Sequence, residues 1–261
     1  MSALLTSTNA EYHANRSHLS SSNLKMILKD IAQFKREWLD GIKEPEKDQS
    51  YFVEGTLTHS LILEPETVPK YAIYPGLRKA GNAWEEFKLQ HAHRPIVSIT
   101  QMQRAEKLYQ AYAAMDVATS LIRNGLAEHS MLGNIMGVDL KSRADYIVPG
   151  KYIVDVKTTS LPSGSEFFAE TINQYEYGLS AALYTELANQ TYNAKHDFYW
   201  LVLSKDDGQC HVYKAVASLN TGLLLVHRAI AKYKQCLVSG LWTEEQPQLA
   251  FDTANYEIEE L

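Results

Sequence analysis

Cysteine is scarce in this sequence, and the cysteines present are not spaced for metal binding. The 261-residue chain has two of them, Cys210 and Cys236. They form no CxxC pair and have no accompanying histidine pattern, so neither a thiolate zinc site nor a disulfide framework has support. We therefore interpret both as free thiols, which is usual in a reducing compartment.

Long hydrophobic runs and an excess of positive charge are also missing. No apolar run approaches the roughly 20 residues that span a bilayer, and the N terminus lacks the pattern of a signal peptide, so we expect a cytoplasmic protein without membrane contact. Its 25 basic and 31 acidic residues give a net charge of −6. Because phosphate binding depends on Lys and Arg, a chain of this balance that binds nucleic acid must concentrate its cations in a groove.

Internal repeats, a glycine-rich phosphate loop and a GxSxG motif are absent, which leaves NTPase and triad-hydrolase functions without support. Apolar residues make up 45% of the chain, enough for one large α/β domain. Within this single domain we predict a flexible N terminus, a helical part, a sheet with its flanking helices and a C-terminal tail. These parts cover residues 1–17, about 18–125, about 126–240 and 241–261.

The spacing of apolar residues predicts the main elements. Helices are expected at about 20–41, 50–63, 100–124 and 218–238, with further helical segments at 165–190. Short strands around another helix are expected within 71–99, and a strand at 126–132. Alternating runs around Asp207-Gly208 predict a hairpin.

The stretch KSRADYIVPGKYIVDVKTTS, residues 141–160, predicts an earlier hairpin. Two runs rich in Ile, Val and Tyr flank a Pro-Gly turn signal. If the turn spans Pro149 to Lys151, Val148 pairs with Tyr152 and the register of all other residues follows.

That register places Asp145 directly opposite Asp155, with Cβ atoms about 5 Å apart. Like charges in this position are destabilising, and a divalent cation is the simplest way to neutralise them. Carboxylates, a main-chain carbonyl and water make an oxygen site that suits Mg²⁺ or Mn²⁺. Lys157 follows on the face of Asp155, where it can orient a water or offset charge on a phosphate. Together these groups favour metal-assisted phosphodiester hydrolysis.

The same residues resemble a known family. Asp145, nine intervening residues and then Asp155-Val156-Lys157 resemble the D…(D/E)xK core of the PD-(D/E)XK nuclease superfamily. The wider pattern resembles its branch of RecE-type (exonuclease VIII-like) phage and prophage exonucleases, to which RecB and lambda exonuclease are more distantly related. In that branch a histidine on an upstream helix, an acidic residue before the hairpin and a tyrosine-rich helix after it recur. They match His59 in GTLTHSLILEP, Glu128 in LAEHSM, and YEYGLSAALY at 175–184. The resemblance covers about residues 18–240.

The resemblance implies an α/β (α+β) restriction-endonuclease-like core, with a central mixed β-sheet flanked by helices. It implies a Mg²⁺-dependent exodeoxyribonuclease, with Mn²⁺ as a substitute, that degrades linear double-stranded DNA 5′ to 3′ and leaves a 3′ strand for recombination by strand annealing. It also implies a homo-oligomeric ring, trimeric or tetrameric, and a RecT-like single-strand annealing protein as partner. A ring would explain how an acidic protein stays on DNA.

Residue roles follow from the same resemblance. Asp145, Asp155 and the Val156 carbonyl would hold the metal, and His59 and Glu128 would complete its shell. By itself, a histidine on an apolar helix is more often a core residue, so the metal role of His59 depends on the resemblance.

One position departs from the family pattern. Ser180 stands where the family usually has a glutamine, and Gln174 lies six residues too early to replace it. Ser180 supports one alternative, a DNA-binding or assembly protein that keeps the fold without cleavage. A second alternative, independent of Ser180, is a sequence-specific endonuclease with the same core.

A second candidate site precedes the first long helix. Arg16 and the serines Ser20, Ser21 and Ser22 could hold a terminal 5′ phosphate, since the first N–H groups of a helix bind anions. Serines that only cap the helix are the more frequent case.

Overall fold

The computed structural model describes residues 3–5, 8–42, 53–76, 78–243 and 258–260. Its strands are β1 Ala3–Leu5, β2 Ala72–Tyr74, β3 Ile96–Ser98, β4 Leu126–Ile135, β5 Val138–Val148, β6 Tyr152–Thr159, β7 Asp197–Ser204, β8 Cys210–Ala215 and β9 Ile258–Glu260. Its helices are α1 Asn9–Ala14, α2 Ser21–Lys29, α3 Ile31–Phe34, α4 Val53–Leu63, α5 Asn82–Gln90, α6 Ile99–Ala113, α7 Asp116–Leu121, α8 Ser165–Gln174, α9 Tyr177–Tyr192 and α10 Ala217–Ser239. A π-helical turn, Lys35–Leu39, continues α3, and a 3₁₀ helix, Pro65–Lys70, follows α4.

The central sheet has the order β1-β4-β5-β6-β7-β8-β9. Its neighbours are antiparallel except β6 and β7, which run parallel and are joined through α8 and α9. Strands β4 to β8 form its centre, and the three-residue strands β1 and β9 extend its two edges. The mixed sheet flanked by helices is therefore confirmed. A separate parallel pair, β2 and β3, lies outside it.

Helices cover both faces of the sheet. On one face, the buried side chains of α2, α3, α9 and α10 pack against sheet residues such as Ile153 and Trp200. On the other, side chains of α4, α6 and α7 pack against residues such as Val154 and Val156. Ile153 and Val154 therefore enter opposite cores, which confirms the predicted alternation along β6. FYWLVL in β7 is almost entirely buried, as expected for a central strand.

The predicted hairpins are confirmed. Val148 pairs with Tyr152 around the Pro149–Lys151 turn, and Gly150 adopts the left-handed conformation that the turn requires. Residues around Asp207-Gly208 join β7 to β8.

Both ends of the chain differ from the prediction. Within 1–17, expected to be irregular, β1 pairs with β4, and α1 begins with a capping box in which Thr8 and Glu11 bond each other's main chain. Within the tail, β9 pairs with β8. The predicted start of the second helix at residue 50 and most of the tail, residues 244–257, lie outside the described residues.

Two predicted helices are each divided. The first is interrupted at Asp30, whose extended backbone ends α2 and whose carboxylate accepts the Gln33 N–H at 2.7 Å to begin α3. The second starts with Ser98, not Thr100, as its N-cap and stops at Ala113, because Met115 is extended and α7 begins after it. No Gly or Pro marks this second break.

None of the helices in the described ranges is long and apolar enough to cross a membrane. Neither Cys210 nor Cys236 forms a disulfide, as predicted.

Candidate active site

The sheet opens between β5 and β6 at the predicted pair of carboxylates. The two strands pair as far as Tyr146 and Val154, one step before Asp145 and Asp155. In place of further main-chain pairing, the Asp145 carboxylate accepts the Val156 N–H at 2.7 Å. The side chain of Asp145 therefore lies in the opening between the strands.

Glu128 stands opposite Asp145 on β4, because the pairs Ala127–Tyr146 and His129–Ala144 flank them. Its φ of +49° is left-handed, which costs a residue other than glycine about 1–3 kcal/mol. Residues two apart in a regular strand share a face, yet Ala144 lies in one core and Tyr146 in the other. The strained Glu128 thus coincides with a local break in the alternation.

His59 approaches from α4. Its Nδ1 lies 3.8 Å from Asp145 Oδ2. One turn earlier, a Cβ on Gly55 would lie 2.8 Å from Thr158 Oγ1, so the glycine lets α4 pack closely on β6. Burial, and secondly repulsion by Lys157, lowers the pKa of His59 to about 4, although Asp155 and a main-chain hydrogen bond with Val156 oppose this. The imidazole is therefore neutral near pH 7, the form that binds metals.

Ligand atoms of His59, Glu128 and Asp145 all lie within 4.8 Å of one another. Burial, and then repulsion by Asp155, raises the pKa of Asp145 well above its ordinary value. A cation at this position would offset that repulsion. Two carboxylates and a neutral imidazole suit a divalent ion, so these residues fit a metal site.

Asp155 is buried and lies outside this triad. Its Oδ2 is 2.6 Å from Lys157 Nζ, so an ammonium group already neutralises it. Burial lowers the pKa of Lys157, but attraction to Asp155 and Asp145 outweighs burial, and the net pKa is raised. Lys157 is therefore charged at neutral pH. The structure brings all five predicted catalytic residues to one place, and their roles stay predictions. Glu128, which was expected only to complete the metal shell, lies in the triad with Asp145 and His59.

Two charged residues beside the site, Arg143 and Lys25, were not predicted from the sequence. Arg143 Nε donates to Glu128 Oε2 at 2.8 Å, and Arg143 Nη1 donates to Ser130 at 3.1 Å. Alternation along β5 was a usable signal for Arg143, since it lies two residues before Asp145. Lys25 comes from α2, and burial followed by repulsion from Lys157 lowers its pKa to about 8. Nothing in the local sequence of α2 indicates this position.

The tyrosine-rich segment also reaches the site. Burial raises the pKa of Tyr184, and Asp155 adds to the shift, while a hydrogen bond with Ser21 opposes it. Lys157 Nζ lies 5.1 Å from the centre of the Tyr177 ring. Ser180 is half-buried on α9, and Gln174 is exposed at the end of α8.

Three of the four candidate phosphate residues, Arg16, Ser20 and Ser21, already have partners. Arg16 donates to the carbonyls of Glu37 and Trp38. Ser20 caps α2 through Asn23, Ser21 is buried and bonded to Tyr184, and Ser22 is exposed. The capping interpretation of Ser20 is confirmed, and a 5′-phosphate site there stays a prediction.

Two clefts meet at the site and share Gly55 and Thr158. One, of ≈ 620 Å³, extends past His59, Glu128 and Arg143. The other, of ≈ 740 Å³, is lined by polar and aromatic residues that include Lys157, Gln174, Tyr175, Tyr177 and Lys205.

Comparison with known proteins supports this description of the fold. The model of a family described as “PDDEXK-like domain of unknown function (DUF3799)” matches residues 20–250. The crystal structure of a protein from Eubacterium rectale, described as a “Putative exonuclease”, is similar, with a TM-score of 0.66 and 17% identity over 91% of this chain and 88% of that chain. At this identity the likeness concerns the fold alone. No curated protein matches the sequence.

Proposed function

Because this chain belongs to the family of PDDEXK-like domains, we propose that it is a divalent-metal-dependent nuclease that hydrolyses phosphodiester bonds in DNA. The observation that carries the proposal is the opening between β5 and β6. There Glu128, Asp145 and Asp155, from three adjacent strands, lie beside His59 and Lys157.

Glu128, Asp145 and His59 would hold the ion, and Asp155 would join them while it stays paired with Lys157. A divalent ion such as Mg²⁺ or Mn²⁺ supplies Lewis-acid chemistry and an acidified water. Arg143 keeps Glu128 in place through its hydrogen bond of 2.8 Å. The neutral imidazole of His59 offers a lone pair without a proton to displace.

Lys157 acts as a cation in this proposal. Attraction to Asp155 and Asp145 raises its pKa, so the ammonium form predominates near pH 7 and the proposal gives Lys157 no role as general base. An ammonium group can donate to a phosphate oxygen and stabilise the negative charge that develops there. The half-buried Lys157 is held 2.6 Å from Asp155, so its position is defined before substrate binds.

More specifically, we propose that the nuclease is an exonuclease that degrades linear duplex DNA 5′ to 3′. Its support is the resemblance of His59, Glu128 and the 175–184 segment to RecE-type exonucleases, together with the described exonuclease of similar fold. A trimeric or tetrameric ring and a single-strand annealing partner belong to the same proposal. The net charge of −6 supports the ring, since enclosure would hold DNA without a basic surface.

Digestion of linear and of covalently closed duplex DNA distinguishes an exonuclease, an endonuclease and a binding protein. Each is incubated with Mg²⁺ or EDTA, with a label on the phosphorylated 5′ ends of the linear form. We expect Mg²⁺-dependent loss of linear DNA alone, with early release of the 5′ label. Cutting of the closed circle would identify an endonuclease, and DNA binding without digestion would identify a binding protein. Asp145→Asn, which removes a charge at constant size, should abolish digestion.

A further inference from the structure

The turn between α8 and α9 presents two tyrosines next to each other. The rings of Tyr175 and Tyr177 are stacked, with centroids 5.7 Å apart and planes 23° from parallel. Glu176 between them has a φ of +50°, an unfavourable conformation for glutamate. The strained main-chain conformation of Glu176 therefore lies at the turn that places the two rings side by side.

Tyr175 and Tyr177 contact two lysines of the candidate active site, Lys157 and Lys25. The ammonium groups of Lys157 and Lys25 lie 5.1 and 5.6 Å from the centre of the Tyr177 ring. Lys25 Nζ also donates to the Tyr175 carbonyl at 2.8 Å. Tyr177 packs against the hydrophobic core, so the inner ring is anchored and two cations stand beside it.

The outer ring is in a different environment. Tyr175 is 50% exposed, which distinguishes it from a tyrosine that only packs a helix on the sheet. Both rings line the ≈ 740 Å³ cleft that also contains Lys157 and Thr158. This volume lies in the about 300–1,000 Å³ range of ligand pockets. An exposed ring close to ammonium groups offers a nucleotide a stacking surface and partners for its phosphates.

We propose that the exposed ring of Tyr175 stacks an unpaired nucleobase, and that this cleft holds single-stranded DNA beside the bond to be cut. The inference rests on the proposed nuclease function and specifies its substrate as a strand whose end is unpaired. Lys157 lines the same cleft, and its ammonium group and the Tyr175 ring lie 5.1 and 5.7 Å from the centre of the Tyr177 ring, so the stacked base is within a few nucleotides of the scissile phosphate.

The test measures stacking without cleavage. A 5′-phosphorylated duplex with a short 5′ overhang carries the fluorescent base 2-aminopurine at one overhang position at a time, and binding is measured with Ca²⁺ in place of Mg²⁺. We expect quenching at one or two adjacent positions with the unmodified protein. Tyr175→Ala should remove that quenching and weaken binding about five- to a hundredfold, whereas Tyr175→Phe should retain both.

Tyr109→Ala is the matched control, because Tyr109 is also exposed beside another tyrosine but lies on α6 outside this cleft. It should behave as the unmodified protein does. Equal quenching and affinity in Tyr175→Ala would overturn the inference, and would do so without affecting the nuclease proposal if linear DNA is still digested. Tyr175-dependent quenching in a protein that digests no DNA would support base stacking on Tyr175 and reject the nuclease function. No binding to the probe would overturn the inference.

Discussion

Lys157 illustrates how much of the site's chemistry is decided by single residues. Burial disfavours charge, so an ammonium group in a largely buried position ordinarily has a lowered pKa. Here Asp155 at 2.6 Å and nearby Asp145 reverse that tendency. The lysine therefore keeps a positive charge where a phosphate would be cut, and it also compensates the buried Asp155.

Replacing Lys157 should separate binding from catalysis. We expect Lys157→Ala to reduce cleavage of linear DNA by about 10²–10³-fold, because one charge that stabilises the transition state is lost. DNA affinity, measured with Ca²⁺, should change little, since one contact among many is removed. Single-turnover cleavage and equilibrium binding are the two measurements.

Lys151→Ala is the matched control for this prediction. Lys151 lies in the turn of the same hairpin and is exposed. Its removal should leave both measurements unchanged. Normal cleavage by Lys157→Ala would show that Lys157 has no catalytic role.

At the scale of elements, the local sequence pattern was enough to predict those helices and strands whose formation depends mainly on their own residues. Period-two alternation and the Pro149-Gly150 turn predicted the β5–β6 hairpin and its register, and Gly240 marked the end of α10. Elements defined by a distant partner were missed. Strand β1 exists through its pairing with β4, and residues 3–5 have no local pattern that indicates it.

The features of the candidate site also fall into those that the local sequence predicts and those that it does not. The Asp145 and Asp155 juxtaposition followed from the register and was predictable. The left-handed backbone of Glu128 was not, because glutamate rarely adopts it and the sheet, not the local sequence, imposes it. Lys25 joins the site through tertiary packing, whereas Arg143, two residues before Asp145 on β5, could have been found from the alternation of that strand.

Close packing of α10 against α9 helps to position Tyr177 beside the site. A Cβ on Gly222 of α10 would lie 2.0 Å from the Gly178 carbonyl oxygen, in the first turn of α9. Because that atom belongs to the main chain, the helices must separate to admit a side chain. Movement of α9 would also displace Tyr177, which directly precedes Gly178.

Gly222→Ala should therefore destabilise the protein despite the better helix propensity of alanine. Overpacking costs about 1–3 kcal/mol, against a gain of up to about 1 kcal/mol from propensity. We expect a melting temperature lower by a few degrees and slower cleavage. Gln235→Ala, an exposed change on the same helix, should lower neither, and an unchanged melting temperature in Gly222→Ala would contradict the packing argument.

At the scale of the whole molecule, the stability of the fold should depend on cations and on pH, because the net charge is −6 and Glu128 and Asp145 lie close together beside His59. The raised pKa of Asp145 means that its proton stabilises the metal-free fold. Since the pKa is higher in the folded than in the unfolded chain, this contribution is complete below about pH 4 and is lost as the pH rises through the folded-state pKa. His59, with a pKa lowered to about 4, carries no proton for a metal to displace near neutrality.

The increase in melting temperature produced by Mg²⁺ should therefore grow as the pH rises, because the ion no longer competes with the Asp145 proton. At a concentration of about 100 times Kd the ion contributes about 2.7 kcal/mol, equivalent to about 5–10 °C. Melting curves with Mg²⁺ and with EDTA, from about pH 5 to 8, measure this difference. Asp145→Asn should show no Mg²⁺ effect at any pH, whereas Asp139→Asn, an exposed change on the same strand, should keep it. A Mg²⁺ effect that is independent of pH, or that survives in Asp145→Asn, would place the ion elsewhere on the protein.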